Sequence, residues 1–185
     1  MGTDKGLVPF LGKPLIQRVI KRLQPLANDL LVTSNQPKNY RFLNLPVYPD
    51  LVRGAGALGG LYTALYYARH PLVVVVACDM PFASRELLAF ELDMLEREDW
   101  DVLLPTSPQG LEPLHAIYRR ETCLPRIKSA LDEGERRLIS WFPQVKVKAL
   151  SLEETSHFDS KGLVFMNVNS REDLVKAESL ARMEG

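Results

Sequence analysis

Two rhythms of apolar residues alternate along the chain. Leu15, Ile16, Val19, Ile20 and Leu23 recur at helical spacing behind Pro14, which suits a first helical turn, and predict a helix over 14–26. The run DLLVTSN (29–35) predicts a short buried strand, and LNLPVYPD (43–50) a second one weakened by Pro46. RGAGALGG (53–60) reads as a glycine-rich loop ahead of a helix over 61–69. In LVVVVACD (72–79) the apolar residues do not alternate with polar ones, which predicts a strand covered on both faces, as at the centre of a parallel sheet. Ser84 can cap a helix over 85–97 that turns Leu87, Leu88, Phe90, Leu92 and Leu95 inward. Strands follow at 101–106 and 114–120, then a helix near 121–133 and a short amphipathic helix at 135–142. VKVKAL (145–150) alternates, as a strand with one wet face does, and LVFMNVN (163–169) is apolar again. Ser170 and Asp173 resemble a capping box for a last helix over 171–182. Strands alternating with helices predict an α/β fold with a mostly parallel sheet, strand 72–78 at its centre, helices on both faces and ligands at the carboxyl ends of the strands.

Composition narrows the class. The 185 residues fit one domain over 1–185, with enough apolar residues to build a core unaided. Lys plus Arg number 23 and Asp plus Glu 23, so no basic field exists to hold nucleic acid. Cys78 and Cys123 form no Cys-x-x-Cys pair and His70, His115 and His157 are far apart, which argues against a zinc site or disulfide framework and for a reducing cytoplasm. No apolar run approaches the roughly 18 residues of a membrane span, and no secretory leader is visible at the start.

Candidate chemistry falls at strand ends. Asp79, Asn35, Asn167 and Asn169 each close an apolar run. Pro81 restricts Met80 to an extended conformation, so the Asp79 carboxylate sits where the chain leaves the sheet. There it suits a hard cation such as magnesium, or equally a helix cap or turn. Gly54, Gly56 and Gly59 fit a Gly-x-Gly-x-x-Gly spacing, but they follow a short, proline-interrupted strand, so a phosphate-approaching loop and a simple turn both remain open. Lys5 and Lys13 lie near glycines ahead of a helix, placed either for anion contact or for solvent. Ser34, Ser84 and Ser170 have no histidine nearby in sequence, and Cys78 adjoins a buried strand, so no nucleophile stands out. Nucleotidyl transfer to a substrate phosphate needs none, because the attacking oxygen is already ionised near neutral pH.

MGTDKGLVPFLGKPL together with PD (49–50), GAGALGGL (54–61), CDMPF (78–82), EPLHAIYRR (112–120), GERRLISWF (134–142) and MNVNSREDL (166–174) resembles the molybdenum cofactor guanylyltransferases, the MobA-type nucleotidyltransferases. The resemblance runs in order along nearly the whole chain. It implies a Rossmann-like three-layer α/β/α nucleotidyltransferase fold that uses GTP and magnesium to attach GMP to molybdopterin carrying molybdenum, releasing pyrophosphate. It implies that Lys5 contacts the nucleotide phosphates and that Asp79 holds magnesium. Asn35, Asp50, Gly56, Gly59 and Gly60 would surround guanine and ribose. Asn167 and Asn169 would lie at the reacting phosphates or the pterin side, and Arg136 and Arg137 are candidates for the pterin phosphate. Transient contact with molybdopterin-delivering or molybdoenzyme-maturation proteins is a further implication. In that family a strand and a Leu-Ala-Gly-Gly-x-x-x-Arg loop precede the Met-Gly segment, so the expectation is that the numbering omits a natural N-terminus. A cytidylyl- or sugar-phosphate nucleotidyltransferase, or a non-catalytic GTP-binding module, are the alternative readings.

Overall fold

A computed structural model describes residues 4–183 of the chain; Met1, Gly2 and Thr3 of the opening motif lie outside the described residues. After a short helical turn at Lys5–Leu7, strands β1 (Pro9–Phe10) and β2 (Lys13–Pro14) form a small hairpin that leads into α1 (Leu15–Leu23). Strands β3 (Val32–Thr33) and β4 (Val47–Tyr48) pair in parallel, separated by a 3-10 helix at Pro37–Leu43. Helix α2 (Gly56–Tyr67), strand β5 (Leu72–Val76) and helix α3 (Arg85–Arg97) follow. Next come β6 (Val102–Ser107), β7 (Gly110–Leu111), β8 (His115–Arg119) and α4 (Arg120–Asp132). Strand β9 (Val147–Leu150) and helices α5 (Leu152–Thr155) and α6 (Arg171–Met183) complete the order.

The main sheet has the order β5-β8-β6-β7, with β9 joined to β6. Alternation along its strands makes three layers. Val102 and Leu104 of β6, with Ala116 and Tyr118 of β8, face a core with Leu58, Leu61 and Leu65 of α2 and Ile127 and Leu131 of α4. Leu103 and Ile117, one residue out of step, face Leu87, Leu88 and Leu95 of α3. The fold is thus the expected three-layer α/β/α arrangement, and each fully buried Leu or Ile contributes about 1.5–3 kcal/mol to it. A third cluster (Phe10, Leu15, Phe82, Val168, Ala177 and Ala181) binds the hairpin, α1, the turn after β5 and α6 into one corner.

The sheet corrects one expectation. It is mixed, not mostly parallel: β8 lies antiparallel between β5 and β6, and only β6–β9 pair in parallel. Among the described residues, strand 72–76 stands at the end of the strand order, not its centre. Unbroken apolar character reports that both faces are covered, by Leu72, Val74 and Val76 toward α3 and Val75 toward α2; it says nothing about the direction of the neighbour. Three elements also differ. Helix α2 starts at Gly56 instead of 61, taking the glycine stretch into its first turns. Residues 135–142 are not one helix: 135–137 are irregular and 138–141 form turns, with Ser140 N bonded to Arg137 O at 3.1 Å, between Gly134 in the left-handed region and a 3-10 helix at Phe142–Gln144. Residues 163–169 are not a strand; they cross the sheet end on one backbone bond, Val168 N to Asp79 O at 2.9 Å.

Candidate active site

Asp79 follows the carboxyl end of β5 by three residues, on a turn fixed from two sides. Arg18 of α1 donates from Nε to Pro81 O at 2.9 Å and lies over the rings of Phe10 and Phe82 at 5.2 and 5.3 Å. Beyond the turn, Ser84 caps α3 by accepting from Leu87 N at 3.1 Å, and its own amide donates to Nε2 of the fully buried His115 at 3.2 Å. These contacts hold the Met80–Pro81–Phe82 segment, so the Asp79 carboxylate points out of the sheet end without freedom to wander.

Onto that carboxylate comes Lys5 from near the start of the chain, itself held by Asn169 from near the end. Lys5 Nζ donates to Asp79 Oδ2 at 3.0 Å and also to Asn169 Oδ1. The Lys5 side chain is 43% exposed and that of Asp79 12%, so the ammonium caps a nearly buried carboxylate while keeping a solvent-facing side. Asn169 is held in turn by the start of α6, where Asp173 Oδ2 accepts from Asn169 N at 3.1 Å and from Ser170 N at 2.8 Å, and Ser170 Oγ accepts from Asp173 N at 3.0 Å. That is the reciprocal cap read from the sequence; the Ser170 hydroxyl, which also donates to Asp173 Oδ2 at 2.8 Å, lowers the Asp173 pKa most, followed by the Ser170 amide. Beside Asp79, burial above all, and then the Asp79 charge, push the Cys78 thiol up to about 12, so it is no nucleophile.

A second group forms at the ends of β3 and β4. Asn35 Nδ2 donates to Asp50 Oδ2 at 2.7 Å and Asp50 N donates to Asn35 Oδ1 at 3.0 Å. Gly60 faces this pair: a Cβ there would lie 3.8 Å from Asp50 Oδ1 and 3.7 Å from Thr33 Oγ1. Gly59 packs against Ala55, and Gly56 opens the helix at an exposed N-terminus without a side-chain cap. Lys5, Asp79 and Asn169 are therefore brought together, as are Asn35, Asp50 and Gly60. Asn167 turns inward on its own segment, donating to Phe165 O at 3.1 Å. Arg136 donates to Glu135 O and is exposed, as is Arg137; both sit in the turns after α4 with no bond to either group. Lys13 is exposed on β2.

Between the two groups stand residues the sequence did not single out. Asp4 accepts from Ser34 Oγ at 3.3 Å and from Tyr40 Oη, and so bridges the loop of Lys5 to the strand end of Asn35. The only signal in the sequence is its place directly before Lys5.

Among the described residues no three His, Cys, Asp or Glu side chains gather to hold a metal alone. Asp79 is the one carboxylate of the first group, and a single hard oxygen donor completed by substrate phosphates and water is a donor set that a hard divalent cation accepts. No helix among the described residues is long and apolar enough to cross a membrane.

Relatives give this arrangement its context. Residues 1–148 match the MobA-like NTP transferase domain. A probable molybdenum cofactor guanylyltransferase of Carboxydothermus hydrogenoformans is 35% identical over 95% of this chain and 87% of its own length. A protein of the same description from Pelotomaculum thermopropionicum is 34% identical over 98% of this chain and 87% of its own. Among solved structures, the molybdopterin-guanine dinucleotide biosynthesis protein A of Archaeoglobus fulgidus superimposes with a TM-score of 0.84 at 27% identity, covering 98% of this chain and 92% of that one. With this similarity along nearly its whole length, the chain belongs to the family of MobA-like nucleotidyltransferases.

Proposed function

We propose that this protein transfers GMP from GTP to molybdopterin carrying molybdenum. The observation that carries the reading is Lys5 Nζ, shared between Asp79 and Asn169 at the sheet end, with the preceding Asp4 tied to Ser34 beside the Asn35–Asp50 pair. In the reaction a phosphate oxygen of the pterin substrate attacks the α-phosphorus of GTP. A new P–O–P bond forms, the bond between the α-phosphorus and its bridging oxygen breaks, and that oxygen leaves with pyrophosphate and its electron pair. The attacking oxygen is already an anion, so no side chain needs to remove a proton. Lys5 is suited to meet the charge that collects on the phosphates, as a fixed cation in a partly desolvated site.

Nucleotidyltransferases of this family generally use a divalent metal. Asp79 would hold it, with magnesium the proposed ion, and when bound it would neutralise phosphate charge as pyrophosphate departs. Lys5 would then exchange part of its contact with Asp79 for nucleotide oxygens. The Asn35–Asp50–Gly60 group is assigned to guanine and ribose, with Asn169 near the reacting phosphates. Arg136 and Arg137 remain candidates for the pterin phosphate, held on a different segment from the rest.

The test is pyrophosphate release from each of the four NTPs by the full-length enzyme with magnesium, with and without molybdenum-loaded molybdopterin. Release that depends on both GTP and the loaded pterin is expected. Release with CTP instead would move the protein to a cytidylyl branch, and nucleotide binding without release would make it a binding module.

A further inference from the structure

Asp4 precedes Lys5 and carries more contacts than its place in a loop requires. Its carboxylate caps the Lys5–Leu7 turn by accepting from Gly6 N at 3.2 Å. The same oxygen accepts from Tyr40 Oη, and the other accepts from Ser34 Oγ at 3.3 Å. Tyr40 is 2% exposed, and the Asp4 carboxylate beside it adds to the burial that raises its hydroxyl's pKa, so this hydroxyl donates and stays protonated. Ser34 accepts from Gln36 N at 3.2 Å, which fixes it at the strand end next to Asn35.

The turn is gripped from the other side as well. A Cβ on Gly6 would fall 2.7 Å from Tyr40 Oη and 3.4 Å from Cys78 Cβ. The backbone of the turn thus lies between Tyr40 and the residue before Asp79, with no room for a side chain. Asp4 is consequently where three segments meet: the Lys5 turn, the end of β3 and the 37–43 helix.

We propose that Asp4 is a positioning residue for nucleotidyl transfer, acting through Lys5: it sets the Nζ between Asp79 and Asn169 and fixes that point relative to Asn35 and Asp50. The catalytic part of this inference rests on the reading of function above; the placement of Lys5 does not. A carboxylate acting this way governs the span between the two ends of a nucleotide, and a misplacement of about 1 Å at such a site can cost on the order of 100-fold in rate.

Two readouts test it on the full-length enzyme. The first is acylation of Lys5 by acetic anhydride without substrates, read by mass spectrometry against exposed Lys13 as internal reference. Asp4→Asn is expected to raise the Lys5-to-Lys13 ratio by about threefold or more, the factor set by losing one modest hydrogen bond. An unchanged ratio overturns the proposal. The second is a kinetic cycle of Asp4→Ala and Lys5→Ala. Alone, Asp4→Ala should lower kcat by roughly 10- to 100-fold; with Lys5 already replaced it should lower kcat by less than about twofold. Equal losses in both backgrounds would make Asp4 structural only. Tyr40→Phe removes a single hydroxyl and is run beside it; it should move both readouts the same way, and if it folds and moves neither, the inference fails. Wild-type enzyme that releases no pyrophosphate from GTP and loaded pterin would overturn the function, while the acylation ratio would still decide the placement of Lys5.

Discussion

Asp79 and Glu91 are two buried carboxylates twelve positions apart in sequence, and they live in opposite circumstances. Asp79 is 8% exposed and Glu91 0%. Asp79 has an ammonium at 3.0 Å, and its main-chain carbonyl accepts the amide of Val168. Glu91 lies on the inner stripe of α3 with Leu87, Leu88 and Leu95, and neither of its oxygens has a partner. Burial alone raises its pKa well above the ordinary carboxylate value, so it is carried as a neutral acid. His115, fully buried, is the matching base: desolvation lowers its pKa to about 4, and Nδ1 is unpartnered while Nε2 accepts from Ser84. The contrast separates a carboxylate that is paired at an opening from one that is sealed away. The first can exchange partners with a ligand; the second only subtracts from stability.

Removing the carboxyl group should therefore act oppositely at the two places. Asp79→Asn keeps the shape and should cut kcat by about 100-fold or more, the size of effect seen when a preorganised charge contact is lost. Its melting temperature should stay close to wild type; unchanged turnover at saturating magnesium would break the comparison at its first term. Glu91→Met should leave turnover unchanged and stabilise the fold at neutral pH by about 1–3 kcal/mol, the cost of an unpaired buried polar group. That corresponds to a rise of roughly 2–10 °C in a calorimetric scan for a chain of this size. The sign follows from the pKa being raised: the unfolded chain releases the proton above its ordinary value of 4.5, the folded one only at higher pH. The part of the penalty linked to ionisation is absent below 4.5 and grows as pH rises, so the gain from Glu91→Met should be smaller at pH 5 than at neutral pH. A gain that is the same at both pH values would mean the side chain is not held neutral.

Within the site, Asn35 and Asp50 already satisfy each other, so a base that enters must replace those bonds. Guanine can offer donors and an acceptor there, and adenine presents the reversed edge. With each unmatched group costing about 1–3 kcal/mol, GTP should bind at least about tenfold tighter than ATP or CTP with magnesium, by calorimetric titration of the full-length enzyme. Equal affinities would restrict this group to ribose or phosphate. The smallest effect belongs to His115. Its folded pKa of about 4 lies below the unfolded value of 6.5, so stability is complete above 6.5 and is lost as pH falls toward 4. The loss should be about 1 kcal/mol by pH 6, measured by urea titration, and His115→Gln should flatten that slope.

These features were unequally legible in the sequence. Helices α3 and α6 announce themselves because their caps, Ser84 and the Ser170–Asp173 pair, are local devices beside amphipathic spacing. Glu91 sits at the i+4 position between Leu87 and Leu95, so its burial was implied by spacing that its polar character concealed. The start of α2 at Gly56 runs against glycine's weak helix propensity; packing of Ala55 and Leu58 into the core decides it. Strand order was hidden altogether, since an apolar run reports covered faces and not neighbours. Of the site, Asp79 and Asn35 stood at recognisable strand-end positions, Asn169 was picked out by a strand that does not form, Lys5 by its place near glycines ahead of a helix, and Asp50 by the family resemblance. Asp4 and Tyr40 were missed because their contact spans 36 positions and leaves no periodic trace.

The bond from Val168 N to Asp79 O has a consequence for the order in which this molecule comes together and apart. It lies beside a side-chain contact, Lys5 to Asn169, that closes a loop of 164 positions, nearly the whole chain. Such a closure is entropically among the last steps of folding, reached after the local helices and the β6–β8 pairing are in place. The matched family domain ends at residue 148, well before it. Helix α6 buries Ala177 and Ala181 and half-buries Leu174 and Leu180 to hold the closure, a small apolar contact for thirteen residues that suits a unit opening without global unfolding. On warming, the enzyme should lose its active site as a separate early event, with amide exchange accelerating in 166–183 while the sheet remains protected.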